Sequence, residues 1–138
     1  MKDFNLRILE ADSVFYNGKC LSMVVPTTDG MYGIQAGHTN MVAAVTIGVI
    51  KFVTDESIEH YASVSGGLIK VEKGDVTILA QSVEDADEID INMARQTIEE
   101  MREIINTAKS VEERKMADAR MERAINRLKI SKRYGKNG

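Results

Sequence analysis

Two hydrophobic periods divide the chain, and they change over near residue 86. Before that point apolar residues alternate or form short runs between glycine-bearing turns. Phe4-Asn5-Leu6-Arg7-Ile8-Leu9 alternates, and Val14-Phe15-Tyr16, Asn17-Gly18 and Lys19 to Val25 read as strand, tight turn, strand. Pro26, the only proline, ends that run or marks an edge. Short runs follow at Met41 to Val45, Gly48 to Val53, Ile58 to Val64, Leu68 to Val71 and Val76 to Ala80. Polar or glycine turns separate them, as at Thr54-Asp55-Glu56-Ser57 and Glu72-Lys73-Gly74-Asp75. Eight or nine short strands at this spacing predict an antiparallel β-sandwich or a barrel-like pair of sheets.

From Asp90 onward the period becomes helical. Ile91, Ala94, Ile98, Met101, Ile105 and Ala108 recur at steps of three and four, a seam that one helix face buries. Ala117, Met121, Ala124 and Leu128 repeat the pattern after Ser110-Val111-Glu112-Glu113, a capping-box sequence. Only a few residues separate the two patterns, which predicts an antiparallel two-helix hairpin. Four of these ten seam residues are alanine, which buries little surface, so the hairpin reads as a movable arm and the sheet as its anchor. Gln81 to Glu88 reads as the linker, with Asp87 or Asp90 as the cap of the first helix, and the second helix is expected to fray beyond Leu128. The fold class is thus α+β in two segments: a β-sandwich over residues 1–86 and a helical hairpin over residues 87–138.

Charge sharpens that division. The net charge is −3, but from Lys109 to the end ten Lys/Arg stand against four Asp/Glu, while the first 108 residues carry eight against 17. The second helix is either a solvated basic face or a surface that docks on an acidic partner. Nucleic acid is a poorer fit, because the basic residues are interleaved with acids and Tyr134 is the only aromatic among them. No apolar run approaches membrane-spanning length, and Met1-Lys2-Asp3-Phe4 has no signal-peptide character. A lone Cys20 in mid-strand reads as a core or surface thiol in a reducing compartment.

Catalytic chemistry finds no foothold. His38 and His60 are too few for a metal site on a β-sandwich, and His60 reads as an exposed strand residue. Gly30-Met31-Tyr32-Gly33 lacks the Lys-Ser/Thr and the helix of a phosphate loop. No nucleophile motif or cysteine pair occurs, so no catalytic or metal-binding residue is expected.

Gly30-Met31-Tyr32-Gly33-Ile34-Gln35-Ala36-Gly37-His38 resembles the G-x-x-G-I-x-x-G-H stretch of the ε subunits of F-type ATP synthases. Ser65-Gly66-Gly67, Val71 and Gly74-Asp75-Val76-Thr77-Ile78-Leu79-Ala80 resemble the same family's S-G-G…V…G-x-V-T-(I/V)-L-A segment. The likeness runs from Phe4 to Leu128 and points to the bacterial type. It implies a ten-stranded sandwich at the foot of the rotary central stalk, bound to the γ subunit and touching the ring of c subunits. Such a subunit is non-catalytic and couples proton or sodium flow to ATP synthesis. Its C-terminal helices extend along γ into the catalytic α/β head and restrain ATP hydrolysis. The setting implied is peripheral, on the cytoplasmic face of the cell membrane and joined to it only through the complex.

The resemblance also implies sites. Met31, Tyr32 and His38 are expected at the γ and c-ring interface, His38 either facing γ or serving as an inert turn residue. Met31 stands where some relatives carry an acid, which suggests an apolar or a shifted contact. Arg114, Lys115, Arg120 and Arg123 are expected to meet the β subunit when the arm extends. Some relatives bind ATP through an (I/L)-D-x-x-R-A motif with two arginines of the second helix. The aligned residues here are Ile91, Asn92 and Arg95, with Arg123 and Arg127, and Asn92 and Gln96 depart from the motif. No cofactor is expected beyond ATP as a weak regulatory ligand, and the alternative function is an ATP-sensing regulatory module.

Overall fold

The computed structural model describes residues 2–136. The chain divides into two compact units, Met1–Asp85 and Ala86–Gly138. The first holds nine strands: β1 (Phe4–Glu10), β2 (Ser13–Thr27), β3 (Gly30–Ile34), β4 (Met41–Val45), β5 (Gly48–Thr54), β6 (Glu59–Val64), β7 (Gly67–Glu72), β8 (Asp75–Ala80) and β9 (Val83–Asp85). One layer runs β1-β8-β7-β4 and the other β2-β5-β6-β9, with β3 a hairpin partner of β2. All pairings are antiparallel except β1 with β8. Alternation sets the core. Phe4, Leu6 and Ile8 of β1 meet Val76 and Ile78 of β8, Ile69 and Val71 of β7, and Met23, Val25, Ile50 and Phe52 of the facing layer. Burying one face of every strand ties each register to the pleat, since a one-residue slip would turn the core outward.

Strand β2 joins the layers. Its first half pairs with β1, its second with β5 and β3, and Thr27 reaches Val45 of β4, with an irregularity between Cys20 and Ser22 where partners change. The family resemblance implies ten strands; nine occur among the described residues, because this 15-residue strand serves both layers without interruption. Asn17-Gly18 is accordingly no turn. Gly18 pairs with Leu6 in mid-strand, and the chain reverses instead at Ala11-Asp12. Glycine is needed there for another reason. Tyr16 donates its hydroxyl to the Lys19 carbonyl oxygen (2.7 Å), which folds its ring across Gly18, and a Cβ would lie 2.9 Å from that hydroxyl.

The expected linker is also partly strand. Val83–Asp85 pairs with Val64, Ser63 and Ala62 along the edge of β6, and the Val83 amide donates to the Glu10 carboxylate (2.7 Å). His60 differs from expectation as well. It is half-buried, its ring stacked on Phe52 at 4.9 Å.

The second unit opens with a single 3-10 turn, Ala86–Glu88, followed by α1 (Ile91–Thr107) and α2 (Val111–Tyr134). Asp90 caps α1 by accepting the Met93 amide (3.0 Å), and Ser110 caps α2 by accepting that of Glu113 (3.1 Å). Ala94, Ile98, Met101, Ala117 and Ala124 of the predicted seams are buried. Helix α2 continues past Leu128 to Tyr134, because Ile130 and Ser131 extend its buried stripe. Its end is tied down. The Gly135 amide donates to the Ser131 carbonyl oxygen (2.9 Å) and the Lys136 amide to Asp87 (2.6 Å). A Cβ at Gly135 would sit 2.6 Å from that Ser131 oxygen and 2.9 Å from the Ala86 oxygen, so only glycine fits.

Candidate functional site

Residues Gly30 to His38 form a hairpin strand and the loop after it. Thr28-Asp29 turns the chain from β2 into β3, with the Thr27 hydroxyl donating to the Gly30 carbonyl oxygen (2.7 Å) and accepting from the Asp29 amide (3.2 Å). Gly30 holds φ +109°, which favours glycine. Met31 therefore lies in a strand opposite Pro26, with 58% of its surface exposed. Tyr32 points the other way and packs against the core. His38 follows a turn at Gln35–Gly37; its amide donates to the Gln35 carbonyl oxygen (3.2 Å) and its Nδ1 lies 2.8 Å from the Thr39 carbonyl oxygen. Met31 is thus exposed, His38 is half-buried, and Tyr32, also half-buried, is turned against the core. A protein partner on this side would meet an apolar methionine first.

The residues aligned with the nucleotide motif sit on both helices. Ile91 opens α1 half-buried, with Asn92 and Arg95 exposed beside it; Arg123 is exposed on α2 and Arg127 half-buried one turn later. Arg95 and Arg123 are each fourteen residues from Lys109, so the hairpin brings the two motif halves to one level. Gln96, where the motif has alanine, donates its side-chain amide to Glu100 (2.9 Å) along the helix.

The four cations expected to meet the β subunit, Arg114, Lys115, Arg120 and Arg123, are all exposed on α2. At about 100° per residue they spread around roughly two thirds of the helix circumference. A single flat partner face reaches two or three of them at once, and four only by wrapping the helix.

Sequence reasoning missed another feature. Val42, Leu68 and Leu79 are 69%, 50% and 54% exposed on the outer side of the β4-β7-β8 layer. Their signal was in the alternation: each is apolar where its strand's pattern calls for a polar residue, as in Leu68-Ile69-Lys70-Val71.

Comparison with known proteins places these features. Residues 3–86 match the family model described as ATP synthase, Delta/Epsilon chain, beta-sandwich domain. The chain is 34% identical over 131 residues to the ATP synthase epsilon chain of Bacillus pumilus, covering 95% of this chain and 98% of that one. It is 31% identical over 132 residues to the epsilon chain of Ruminococcus albus, covering 95% and 98%. Among solved structures, its fold is similar to a chain of the Euglena gracilis mitochondrial ATP synthase OSCP/F1/c-ring assembly. The TM-score is 0.75 at 20% identity, over 87% of this chain and 76% of that one. It is also similar to a chain of the Tetrahymena thermophila mitochondrial ATP synthase central stalk and c-ring, with a TM-score of 0.65 at 10% identity, over 94% and 97%. Sandwich and hairpin are both spanned by the bacterial matches, and the chain belongs to the ATP synthase epsilon chain family.

Proposed function

We propose that this chain is a non-catalytic subunit of the rotary central stalk of an F-type ATP synthase. It couples ion translocation to ATP synthesis and restrains ATP hydrolysis through α1 and α2. Its partners are the γ subunit, the c ring and, for the arm, the α/β catalytic head. No helix among the described residues is long and apolar enough to cross a membrane, and the chain joins the cytoplasmic face of the membrane through the complex. The observation that carries this reading is the end-to-end match to bacterial epsilon chains, hairpin included. The physical support is the arm itself: a helix pair with an alanine-rich seam and a basic second helix suits exchange between surfaces. ATP hydrolysis by the purified complex tests it, with the full chain or with a version ending at Ala86. Truncation raises hydrolysis several-fold while the complex stays assembled; unchanged hydrolysis removes the inhibitory role.

A second reading, ATP sensing by the hairpin, rests on the common level of Arg95 and Arg123, whose guanidinium groups suit phosphate. Titration of the full chain with ATP at millimolar concentration, against Arg95→Ala and Arg123→Ala, decides it. Saturable binding lost in both variants supports the site, and equal behaviour of all three chains removes it.

A further inference from the structure

The two ends of the helical unit meet. The 3-10 turn Ala86–Glu88, which leads towards α1, packs against α2. Asp90 caps α1, and the Asp87 carboxylate accepts instead the amide of Lys136, 49 residues further on (2.6 Å). The residues around this bond are small and closely packed. Ala86 and Ser131 are buried, and a Cβ at Gly135 would lie 2.9 Å from the Ala86 carbonyl oxygen. Backbone approaches backbone here, and the missing side chain of Gly135 permits it. Charges of opposite sign flank the contact. Residues 86–90 hold Asp87, Glu88 and Asp90 and no cation, while residues 129–136 hold Lys129, Lys132, Arg133 and Lys136 and no acid.

The place of this contact gives it leverage. At the far end of the hairpin, Ala108 to Ser110 join α1 to α2 covalently. The helices can part only from the open end, where the 3-10 turn meets the end of α2. Between the two ends the seam is rich in alanine and resists separation weakly. A bond at the open end opposes the first step of separation, whereas the same bond in mid-seam would be one contact among many.

We propose that Asp87, the Lys136 amide and Gly135 form a clasp that keeps the hairpin closed and sets how readily α1 and α2 part. The proposal rests on the regulatory reading of the arm given above and adds which contact governs it. Removing the whole arm relieves the restraint on ATP hydrolysis. Removing the clasp alone strengthens that restraint, because a larger share of the arms stands open.

The test uses the full chain in the assembled complex, with Cys20→Ala and with spin labels on Met93→Cys and Lys129→Cys, exposed positions on α1 and α2. Lys136→Pro deletes the donor alone, since Gly135 (φ −77°, ψ 145°) already has a conformation suited to the residue before a proline. Asp87→Ala deletes the acceptor, and Gly135→Ala forces the two backbones apart. Each raises the fraction of widely separated labels at least about three-fold, the scale of one lost hydrogen bond to an exposed carboxylate, and slows ATP hydrolysis by the complex. Lys136→Ala, which keeps the amide, changes that fraction by less than Lys136→Pro. If Gly135→Ala loses helix by circular dichroism, the other two variants carry the test. Label separations equal to wild type in Lys136→Pro and Asp87→Ala overturn the clasp and leave the stalk reading intact. A wild-type hairpin already open in most complexes overturns it too, because the clasp then holds nothing. Open helices with faster hydrolysis overturn the regulatory role given to it. Unchanged hydrolysis on truncation at Ala86 overturns the inhibitory reading instead, and the label distances still judge the clasp.

Discussion

Cys20 is fully buried where β2 changes partners, and its thiol donates to the Ser22 carbonyl oxygen 3.0 Å away. Burial pushes this thiol above its ordinary value of 9.0. Burial, then the nearby charges of Cys20, Asp55 and Glu56, pushes the Tyr16 hydroxyl above 10.0. The folded chain therefore keeps both protons to higher pH than the unfolded chain. The stability this contributes is fully present below the ordinary thiol value and is lost as pH rises through the raised folded values. Urea midpoints should be level up to about pH 8.5 and fall as the pH rises beyond about 9, with a shallower fall in Cys20→Ala. A wild-type midpoint that does not fall above about pH 9 would refute the argument. At this scale the sequence was a partial guide. Alternation placed Cys20 in a strand, but nothing local said that Tyr16 would fold over Gly18 or that His60 would stack on Phe52, since both depend on neighbours brought in by pairing.

Helix starts were the most legible elements, because a cap is a local device. Ser110 needs only the amide of Glu113, three residues on, and Glu112 and Glu113 add negative charge where the helix dipole favours it. Ser110→Ala should cost about 1 kcal/mol. Hydrogen exchange at Glu113 should speed up, and the helical part of the thermal transition should move to lower temperature with the sheet signal unchanged. Protection at Glu113 equal to wild type would show that the cap contributes nothing. Helix ends and strand joins were harder to read. The fraying expected after Leu128 does not occur, because Ile130 and Ser131 are buried and Asp87, far away in sequence, accepts the Lys136 amide. The expected linker holds β9 for the same kind of reason. Its amide at Val83 meets Glu10, 73 residues earlier in the chain, and its pairing edge comes from β6.

At the scale of the whole molecule, each of the two units has buried residues of its own. The buried cluster of the sandwich runs from Phe4 to Val83 and includes Leu6, Ile8, Met23, Ile50, Phe52, Ile69 and Ile78. The buried helix residues are Ala94, Ile98, Met101, Ala117, Ala124, Ile130 and Ser131, nearly half of them alanine. Large side chains contribute about 1.5–3 kcal/mol each when fully buried, and alanine far less. A chain ending at Ala86 should therefore keep a sheet spectrum and a cooperative transition within a few degrees of the full chain's sheet signal. Loss of that transition would show that the sandwich depends on the helices. The prediction matters for function, because an arm can leave its surface only if the anchor stands without it.

The sequence by itself determined the periods: two-residue alternation before residue 86 and a three-four seam after it. Those periods dictate which face of each element avoids water, and so a sandwich followed by a helical hairpin. It determined the caps, because their partners lie within one helical turn, and the charge contrast between anchor and arm. Only the tertiary structure decided that Asn17-Gly18 runs straight through a strand, that Val83–Asp85 completes an edge, and that exposed Ala44, Leu68 and Leu79 align in one row with half-buried Leu9. These depend on which strands become neighbours and in what register. Residues as far apart as Leu9 and Leu79 become adjacent only when β1 and β8 pair, and no local period along the chain encodes that pairing.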